Sequence, residues 1–204
     1  MTKKESIIRA ATLLFSRKGF ENTRMSEISQ MTGAAEGTIF YHFKSKEDLF
    51  LAILEQLRQD LMDEFDHYLR EMDFESGMDM LEGALSFYLS LAGKMEDRFL
   101  LLHRHDAYEL ARVNEACKDH LETIYNGLVN IFENALVKGQ EDGSMAPMPP
   151  KKTALIIFSM VDGLVRFNTY ELYDAGSLYY DLITACRRMV GNHGNSETGD
   201  EYAA

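Results

Sequence analysis

The chain has 204 residues, a formal net charge of −12, three prolines and two cysteines. Its length allows one ordinary domain, or a small domain joined to a moderate one. The negative charge argues against a protein that coats nucleic acid with its whole surface. Cys117 and Cys186 lie far apart within helical patterns, which is typical of an intracellular protein and excludes a disulfide scaffold.

The N-terminus contains no apolar signal core, and the most apolar run, residues 154–161, is far shorter than the roughly 18 residues of a membrane span. We therefore expect a soluble, cytoplasmic protein. Residues 1–50 hold eight Lys or Arg and six acids, a net charge of +2, which leaves 13 bases and 27 acids, a net charge of −14, in the remainder. This distribution suits a protein that contacts phosphates at one end only.

The first predicted helix begins at Thr2-x-x-Glu5, a capping box in which a hydroxyl and a carboxylate satisfy free N–H groups of the first turn. Gly19 ends this helix. Its apolar residues recur at helical spacing and are Ile7, Ile8, Ala11, Leu14 and Phe15. We expect this apolar face to pack on the segment that follows and to complete a three-helix unit.

Residues 23–49 have the pattern of a short helix, a glycine turn, a second short helix and the start of a third. Gly33 falls where the chain must reverse, because glycine adopts a left-handed conformation without penalty. Ile39 and Phe43 give the second helix an apolar side, and Ser45-x-x-Asp48 is a signal for a new helix. Two short helices around a glycine turn form a helix-turn-helix, whose second helix enters the DNA major groove.

This segment resembles the DNA-binding domain of the TetR family of bacterial transcriptional regulators. The matching residues are Thr23, Glu27-Ile28, Gly33, Gly37-Thr38-Ile39, Phe40-Tyr41-His42-Phe43 and Lys44-Ser45-Lys46-Glu47-x-Leu49. The resemblance implies an all-α fold, with an N-terminal three-helix helix-turn-helix DNA-binding domain followed by an all-helical ligand-binding and dimerisation domain. It covers only the N-terminal quarter of the chain, so it does not identify the ligand.

The resemblance places the DNA contacts on the second helix of the motif and next to it. Base edges are expected to be read by Arg24, Ser26, Ala35, Glu36, Gly37 and Phe40. Phosphates are expected to be bound by Thr38, Tyr41, His42 and Lys46, with Thr23 a further DNA-binding residue. Two alternatives stay open: Glu36 complements the helix dipole instead of binding cytosine, and Tyr41 or His42 packs against the protein.

Several residues depart from the family pattern. Phe40 replaces a tyrosine, so its DNA contact becomes apolar. Ser29 and Thr32 replace small alanines, and we expect them to loosen the contact between the two helices. Ala35 and Arg24 replace residues whose side chains cap these helices, and each lost cap costs about 1 kcal/mol.

The helix that starts at Ser45 extends to about residue 70, and the pattern then stays helical to about residue 190. Further helices are predicted near 76–93, 97–112, 114–139, 151–173 and 177–190. They should enclose a pocket for a small, largely apolar ligand, with the candidate lining residues Phe87, Tyr88, Leu102, His103, Tyr108, Tyr125, Met160 and Phe167. The alternative for each of these is an ordinary core residue at helical spacing.

The same region contains no convincing catalytic or metal-binding pattern. His103 and Asp106, three residues apart on a predicted helix, are able to share an ion, but no further ligand clusters with them. We therefore expect no metal and no cofactor. No nucleophile and base stand at usable spacing, so an enzyme is not predicted.

The helices near 151–173 and 177–190 resemble in position the two through which TetR-family dimers form a four-helix bundle. A homodimer also suits a major-groove reader, because half-sites lie about 34–36 Å apart. The alternative is that both helices face inward and bury a monomer core.

We predict a helix-turn-helix domain at residues 1–48, here called the head, a ligand-binding and dimerisation domain at 49–190, here called the body, and a disordered tail at 191–204. The predicted function is a ligand-responsive transcriptional repressor, a homodimer that binds palindromic operator DNA and is released by the ligand. The alternatives are a DNA-binding module that responds to no ligand, and a regulator that senses redox state through Cys117 or Cys186.

Overall fold

A computed structural model describes residues 2–174 and 176–191, so most of the predicted tail lies outside the described residues. The α-helices of these ranges are α1 (Lys3–Lys18), α2 (Met25–Thr32), α3 (Glu36–His42), α4 (Lys46–Glu71), α5 (Gly77–Lys94), α6 (Glu96–His103), α7 (His105–Val113), α8 (Glu115–Glu141), α9 (Pro150–Thr169) and α10 (Tyr179–Val190). A short 3-10 helix at Gly176–Leu178 precedes α10. The all-α prediction is confirmed.

The N-termini of α1 and α4 show why the sequence predicts where these helices begin. Thr2 accepts a hydrogen bond from the Glu5 N–H (3.2 Å), and the Glu5 carboxylate accepts from the Thr2 N–H (2.9 Å), so the predicted capping box is present. Ser45 likewise accepts from the Asp48 N–H (3.1 Å) at the start of α4. These side chains satisfy donors that would have no partner within the helix.

The prediction of one helix over residues 97–112 is wrong. The chain leaves the helical conformation at Arg104 (φ −69°, ψ 142°), and α6 and α7 are separate helices. At this break the Arg104 guanidinium donates to the Ser16 carbonyl (3.1 Å), and the Phe20 N–H donates to Asp106 Oδ2 (2.8 Å). We call the Arg104–Asp106 pair the clasp, because it holds the end of α1 against the body.

The head packs α1, α2, α3 and the first turns of α4 around one apolar core. Its fully buried side chains come from all four helices and include Ile7, Ala11, Ile28, Ile39 and Leu49. Next to them Phe15, Phe20 and Phe50 form an aromatic cluster with ring centroids 5.3–5.9 Å apart. The first turns of α4 thus belong to the head core, and the predicted boundary at residue 48 falls inside a continuous helix.

The body is a bundle in which α8 packs against α4, α5, α7 and α9. Its centre is aromatic, with Phe65, Tyr88, Phe99 and Phe132 fully buried. Where α5 begins it crosses the end of α8 so closely that a Cβ on Gly77 would lie 2.0 Å from a backbone nitrogen of α8. Among the described residues, no helix combines the length and the apolar character needed to cross a membrane.

Candidate functional site

The third helix presents a continuous exposed face. Ile39 is fully buried against the head core, whereas Phe40 is 45% and Tyr41 84% exposed. Glu36 and Gly37, one turn earlier, are exposed on the same side, since residues four apart share a helix face. A helix that enters a groove must offer such a face, and large exposed aromatic side chains are otherwise unfavourable there.

Gly37 lies on this face without any structural need for glycine. A Cβ at this position would meet no atom within 4 Å, and the residue has no left-handed backbone angle. Glycine inside a helix destabilises it by up to about 1 kcal/mol relative to alanine. The bare backbone at Gly37 therefore weakens the helix and leaves room for another molecule to approach.

The turn between α2 and α3 is braced by hydroxyl groups. Gly33 has the left-handed angle that the turn requires (φ 68°). Ser29 donates to the Ala34 carbonyl (2.7 Å), and Thr32 accepts from the Ala34 N–H (3.3 Å). Both hydroxyls therefore bind the turn that joins the helices, and the looser contact expected between α2 and α3 stays a prediction.

The two missing helix caps are confirmed. Neither Arg24 nor Ala35 makes a side-chain capping bond, and a guanidinium has no acceptor to offer. At α2 the Glu27 carboxylate accepts from the Arg24 N–H (2.9 Å) and is hydrogen-bonded to the Lys18 ammonium. The Lys18 bond first, and the Arg24 N–H second, hold the pKa of Glu27 below its ordinary value. The exposed Arg24 side chain is thus not required as a cap.

Thr23 and Lys46, two predicted DNA-binding residues, have structural contacts instead. Thr23 is 1% exposed and donates to the Gly19 carbonyl (2.8 Å). The Lys46 ammonium donates to the carbonyls of Phe20 (2.9 Å) and Thr23 (3.3 Å) and lies 4.4 Å from the Phe20 ring centroid. In this structure both side chains hold the loop between α1 and α2, which does not fit the prediction that they contact DNA.

The remaining predicted contacts surround the exposed face of α3. Ser26, Thr38 and His42 are half-buried, and Ala35 is exposed. The His42 ring packs edge-to-face on the Tyr41 ring, with centroids 5.2 Å apart. This contact orients both rings at the C-terminal end of α3 and leaves the Tyr41 hydroxyl end outward.

Four of the predicted ligand residues lie around the carboxylate of Asp162, which the sequence analysis did not predict. They are Tyr88, His103, Tyr108 and Tyr125. The Tyr88 hydroxyl donates to Asp162 Oδ1 (2.6 Å), and His103 Nε2 lies 2.9 Å from the same oxygen. Nearby, the hydroxyls of Tyr108 and Tyr125 are 2.5 Å apart. Burial first, and the Asp162 charge second, raise the pKa of Tyr88, so its hydroxyl keeps its proton. Asp162 is the only acid in the sequence of α9, a signal that could have identified it.

The other four predicted ligand residues contribute no polar group to this cluster. Phe87 stacks on Tyr68 with ring centroids 4.2 Å apart, and Phe167 is 44% exposed beside Tyr173. The remaining two are apolar, one buried and one half-buried, and are Leu102 and Met160. Asp106, which the sequence paired with His103, belongs to the clasp. In the described part of the chain, no three His, Cys, Asp or Glu residues group as a metal site.

Both cysteines have environments that suppress thiol chemistry. Cys117 and Cys186 are buried, and burial raises the pKa of each thiol to about 11. The thiolate is the reactive form of cysteine, and almost none is present at neutral pH with such a pKa. The redox-sensing alternative therefore has no support from the geometry.

Comparisons with known proteins agree with this arrangement. Residues 7–53 match the family model described as bacterial regulatory proteins, tetR family. The chain is 28% identical over 172 residues to the uncharacterised HTH-type transcriptional regulator YfiR of Bacillus subtilis, covering 82% of this chain and 80% of YfiR. It is 25% identical to the HTH-type transcriptional regulator TtgR of Pseudomonas putida, covering 78% and 77%.

Solved structures show the same fold over nearly the whole chain. FadR of Bacillus subtilis, solved with stearoyl-CoA, superimposes with a TM-score of 0.73 at 21% identity and covers 89% of this chain and 96% of its own. A transcriptional regulator from Saccharomonospora viridis, solved with choline, gives a TM-score of 0.81 at 20% identity and covers 93% and 98%. Residues 7–53 of this chain are thus similar to the DNA-binding domain of the tetR family, and most of the chain has the same fold as the regulators named above.

Proposed function

We propose that the protein is a dimeric repressor that binds a palindromic operator and is released when a small molecule binds in the body. The observation that carries this proposal is the exposed face of α3, where Phe40 and Tyr41 are exposed to solvent and a Cβ on Gly37 would meet no atom within 4 Å. Such a face fits the major groove, which admits an α-helix.

The proposed contacts divide by chemistry. Base edges are read from Arg24, Ser26, Ala35, Glu36, Gly37 and Phe40, and phosphates are bound by Thr38, Tyr41 and His42. At the start of α4 the free backbone N–H groups, and not the Lys46 ammonium, supply a further phosphate contact. Thr23 contributes indirectly, because its hydrogen bond to the Gly19 carbonyl stabilises the loop before α2.

The proposed dimer forms through α9 and α10. Both helices bury one side in the body of the same chain, as at Ile157 on α9 and Cys186 on α10. The inward-facing alternative therefore explains the buried side of each helix but not its exposed side. The other side includes exposed apolar side chains, with Leu155 at 55%, Ile156 at 53% and Tyr180 at 79%. Exposed apolar patches of this kind are typical of protein–protein contacts.

Ligand release is proposed because the body has the features of a regulatory domain. The related FadR structure contains stearoyl-CoA, and the body of this chain has a large aromatic core with a buried polar cluster. A module that responds to no ligand has no need of such a cluster. A 100-fold loss of operator affinity requires about 2.7 kcal/mol of coupling, which lies within the usual allosteric range.

The proposal is tested by selecting binding sites from random duplex DNA with the full-length protein. We expect enrichment of a palindrome with half-sites about one helical turn apart. Footprinting of the selected site should show two protected major-groove segments related by two-fold symmetry. Failure to enrich any sequence, or enrichment of a single half-site without symmetry, would contradict the proposed function.

Gly37→Ala tests the approach of DNA to α3 directly. We expect the free energy of unfolding to stay unchanged or rise by up to about 1 kcal/mol, because alanine favours the helix. Operator affinity should fall at least tenfold, equivalent to about 1.4 kcal/mol, since the added methyl occupies space that the DNA needs. Denaturant unfolding and fluorescence anisotropy with operator DNA measure the two effects.

Gly93→Ala is the matched control, because a Cβ at Gly93 also meets no atom within 4 Å and this glycine lies on α5, in the body. It should give the same or higher stability and wild-type DNA affinity. Wild-type operator affinity in Gly37→Ala would show that α3 does not approach DNA at this residue.

A further inference from the structure

His103 has two ring nitrogens with unequal environments. The side chain is fully buried in α6, and its Nε2 lies 2.9 Å from Asp162 Oδ1. Its Nδ1 is buried as well, but it has no hydrogen-bond partner among the described residues. Buried polar atoms are almost always paired, because an unpaired one loses its hydration without replacement. His103 Nδ1 is therefore available to a hydrogen-bond partner from outside the described residues.

The hydrogen bonds to Asp162 fix what kind of partner that is. An ionised carboxylate only accepts, so the Tyr88 hydroxyl and His103 Nε2 must both donate to Asp162 Oδ1. In the neutral imidazole the proton then resides on Nε2, and Nδ1 carries a lone pair. The second carboxylate oxygen adds further acceptor capacity. In this neutral form His103 Nδ1 accepts a hydrogen bond, so its partner is a donor.

The surroundings of this cluster favour a positive charge on the donor. With His103 neutral, the His103–Asp162 pair carries one negative charge. The Arg166 guanidinium, four residues after Asp162 on α9, acts as a positive charge on the nearby Tyr108 and Tyr125 hydroxyls. Aromatic rings line the same region, with the Phe158 centroid 5.8 Å from Tyr88 and 6.0 Å from Tyr125. Aromatic faces attract cations, and a partly desolvated carboxylate attracts them more strongly.

The cluster is closed in this conformation but reaches the surface at one edge. The Asp162 side chain is 18% exposed, and Tyr108 is half-buried. Two open clefts of about 910 and 1250 Å³ lie elsewhere, between α5 and α9 and between α1, α4 and α6, and neither is lined by His103 or Asp162. A ligand would thus enter by separating side chains at the Asp162 edge.

We propose that the His103–Asp162 cluster binds a small organic ammonium ion, whose N–H group donates to His103 Nδ1 near the Asp162 charge while its apolar part packs on the aromatic rings. This inference rests on the proposed function, because it assigns the chemistry of the ligand that the body binds. The inference also makes the prediction of a largely apolar ligand more specific. The ligand must have one charged hydrogen-bond donor at the end that contacts α6 and α9.

Three probes of similar shape separate the features of the proposed ligand. The 2-phenylethylammonium ion has charge and N–H donors, its N,N,N-trimethyl analogue has charge without a donor, and 2-phenylethanol has a donor without charge. Calorimetry with the full-length dimer should give the ammonium ion a dissociation constant at least about tenfold lower than either analogue. Equal binding of an analogue, or no binding of the ammonium ion at millimolar concentration, would overturn the proposal.

Asp162→Asn tests the site, since asparagine keeps an acceptor for Tyr88 but removes the charge. We expect the preference for the ammonium ion over the alcohol to disappear while circular dichroism shows an intact helical fold. The control is Glu122→Gln, an exposed acid on α8 that pairs with Lys118 at 3.5 Å, and it should change neither affinity nor preference. An unchanged preference in Asp162→Asn would place the probe at another site.

A direct readout on the wild-type protein makes the test independent of the variants. In ¹⁵N spectra of histidine-labelled protein, the His103 Nδ1 signal should move when the ammonium ion is added and stay in place with the trimethyl analogue. Operator binding is measured separately on the unliganded protein. Operator binding without ammonium binding overturns this inference alone, whereas ammonium binding without operator binding overturns the proposed function and leaves the site.

Discussion

Replacing Ile156 by glutamate is expected to convert the proposed dimer into a monomer that no longer binds the proposed operator measurably. Ile156 is 53% exposed in the middle of the outer face of α9. A two-fold axis brings the same surface of both chains together, so each dimer would have to bury two new carboxylates. Sedimentation should then report a mass near 23.3 kDa in place of twice that value.

The loss of affinity follows from the loss of the second half-site. Two linked heads bind far more tightly than one, by a factor of roughly 100 to 10,000, so the monomer should lose at least about 100-fold. Val113→Glu is the control, because Val113 is 84% exposed at the end of α7, outside α9 and α10. A dimer that survives Ile156→Glu with full operator affinity would exclude this face as the interface.

Gly19→Ala is expected to be the most destabilising exchange of a single small residue in the head. Gly19 has φ 91° and ψ 158°, a region that is essentially restricted to glycine. An added Cβ would lie 2.5 Å from Asp106 Oδ2 and 2.8 Å from the Arg104 guanidinium. The backbone and the clasp would both have to move, and we expect a loss of about 3 kcal/mol or more in the free energy of unfolding.

Gly143→Ala separates backbone strain from the loss of the clasp. Gly143 also has a positive φ (77°), but it lies in the loop before α9, where a Cβ would meet no atom within 4 Å. It should lose only about 1 kcal/mol. Denaturant unfolding at a fixed protein concentration gives both values, and amide exchange should accelerate at residues 16–23 in Gly19→Ala alone. Equal losses in the two variants would mean that the clasp contributes nothing.

The local structure of the head was predictable because its signals are local. Thr2, Ser45 and Gly33 act on backbone groups within a few residues of themselves, so their capping and turn patterns can be read directly. The assignment of the DNA-contact residues remains a prediction. The exposure of α3 shows that its side chains are accessible, but it does not show what they bind.

The parts that sequence reasoning missed depend on contacts between distant residues. The clasp joins Asp106 to Phe20, which is 86 positions away, and the apolar pattern continues across the break at Arg104. Hydrophobic periodicity predicts a helix. It does not predict a break in that helix whose side chains bind a different helix. In the same way Asp162 meets Tyr88 and His103 only after three helices have packed, so no spacing along the chain reveals their cluster.

The continuity of α4 sets the scale of motion that regulation requires. The helix has 26 residues and spans about 39 Å, from the core of the head to the aromatic centre of the body. Pivoting it by about 5° moves the far end by about 3 Å, and two-fold symmetry doubles the change in spacing between the paired heads. Since neighbouring major grooves recur every 34–36 Å or so, a shift of about 6 Å would take both recognition helices out of phase with the duplex. The proposed release from DNA thus requires only a small rotation of an intact α4 and no unfolding.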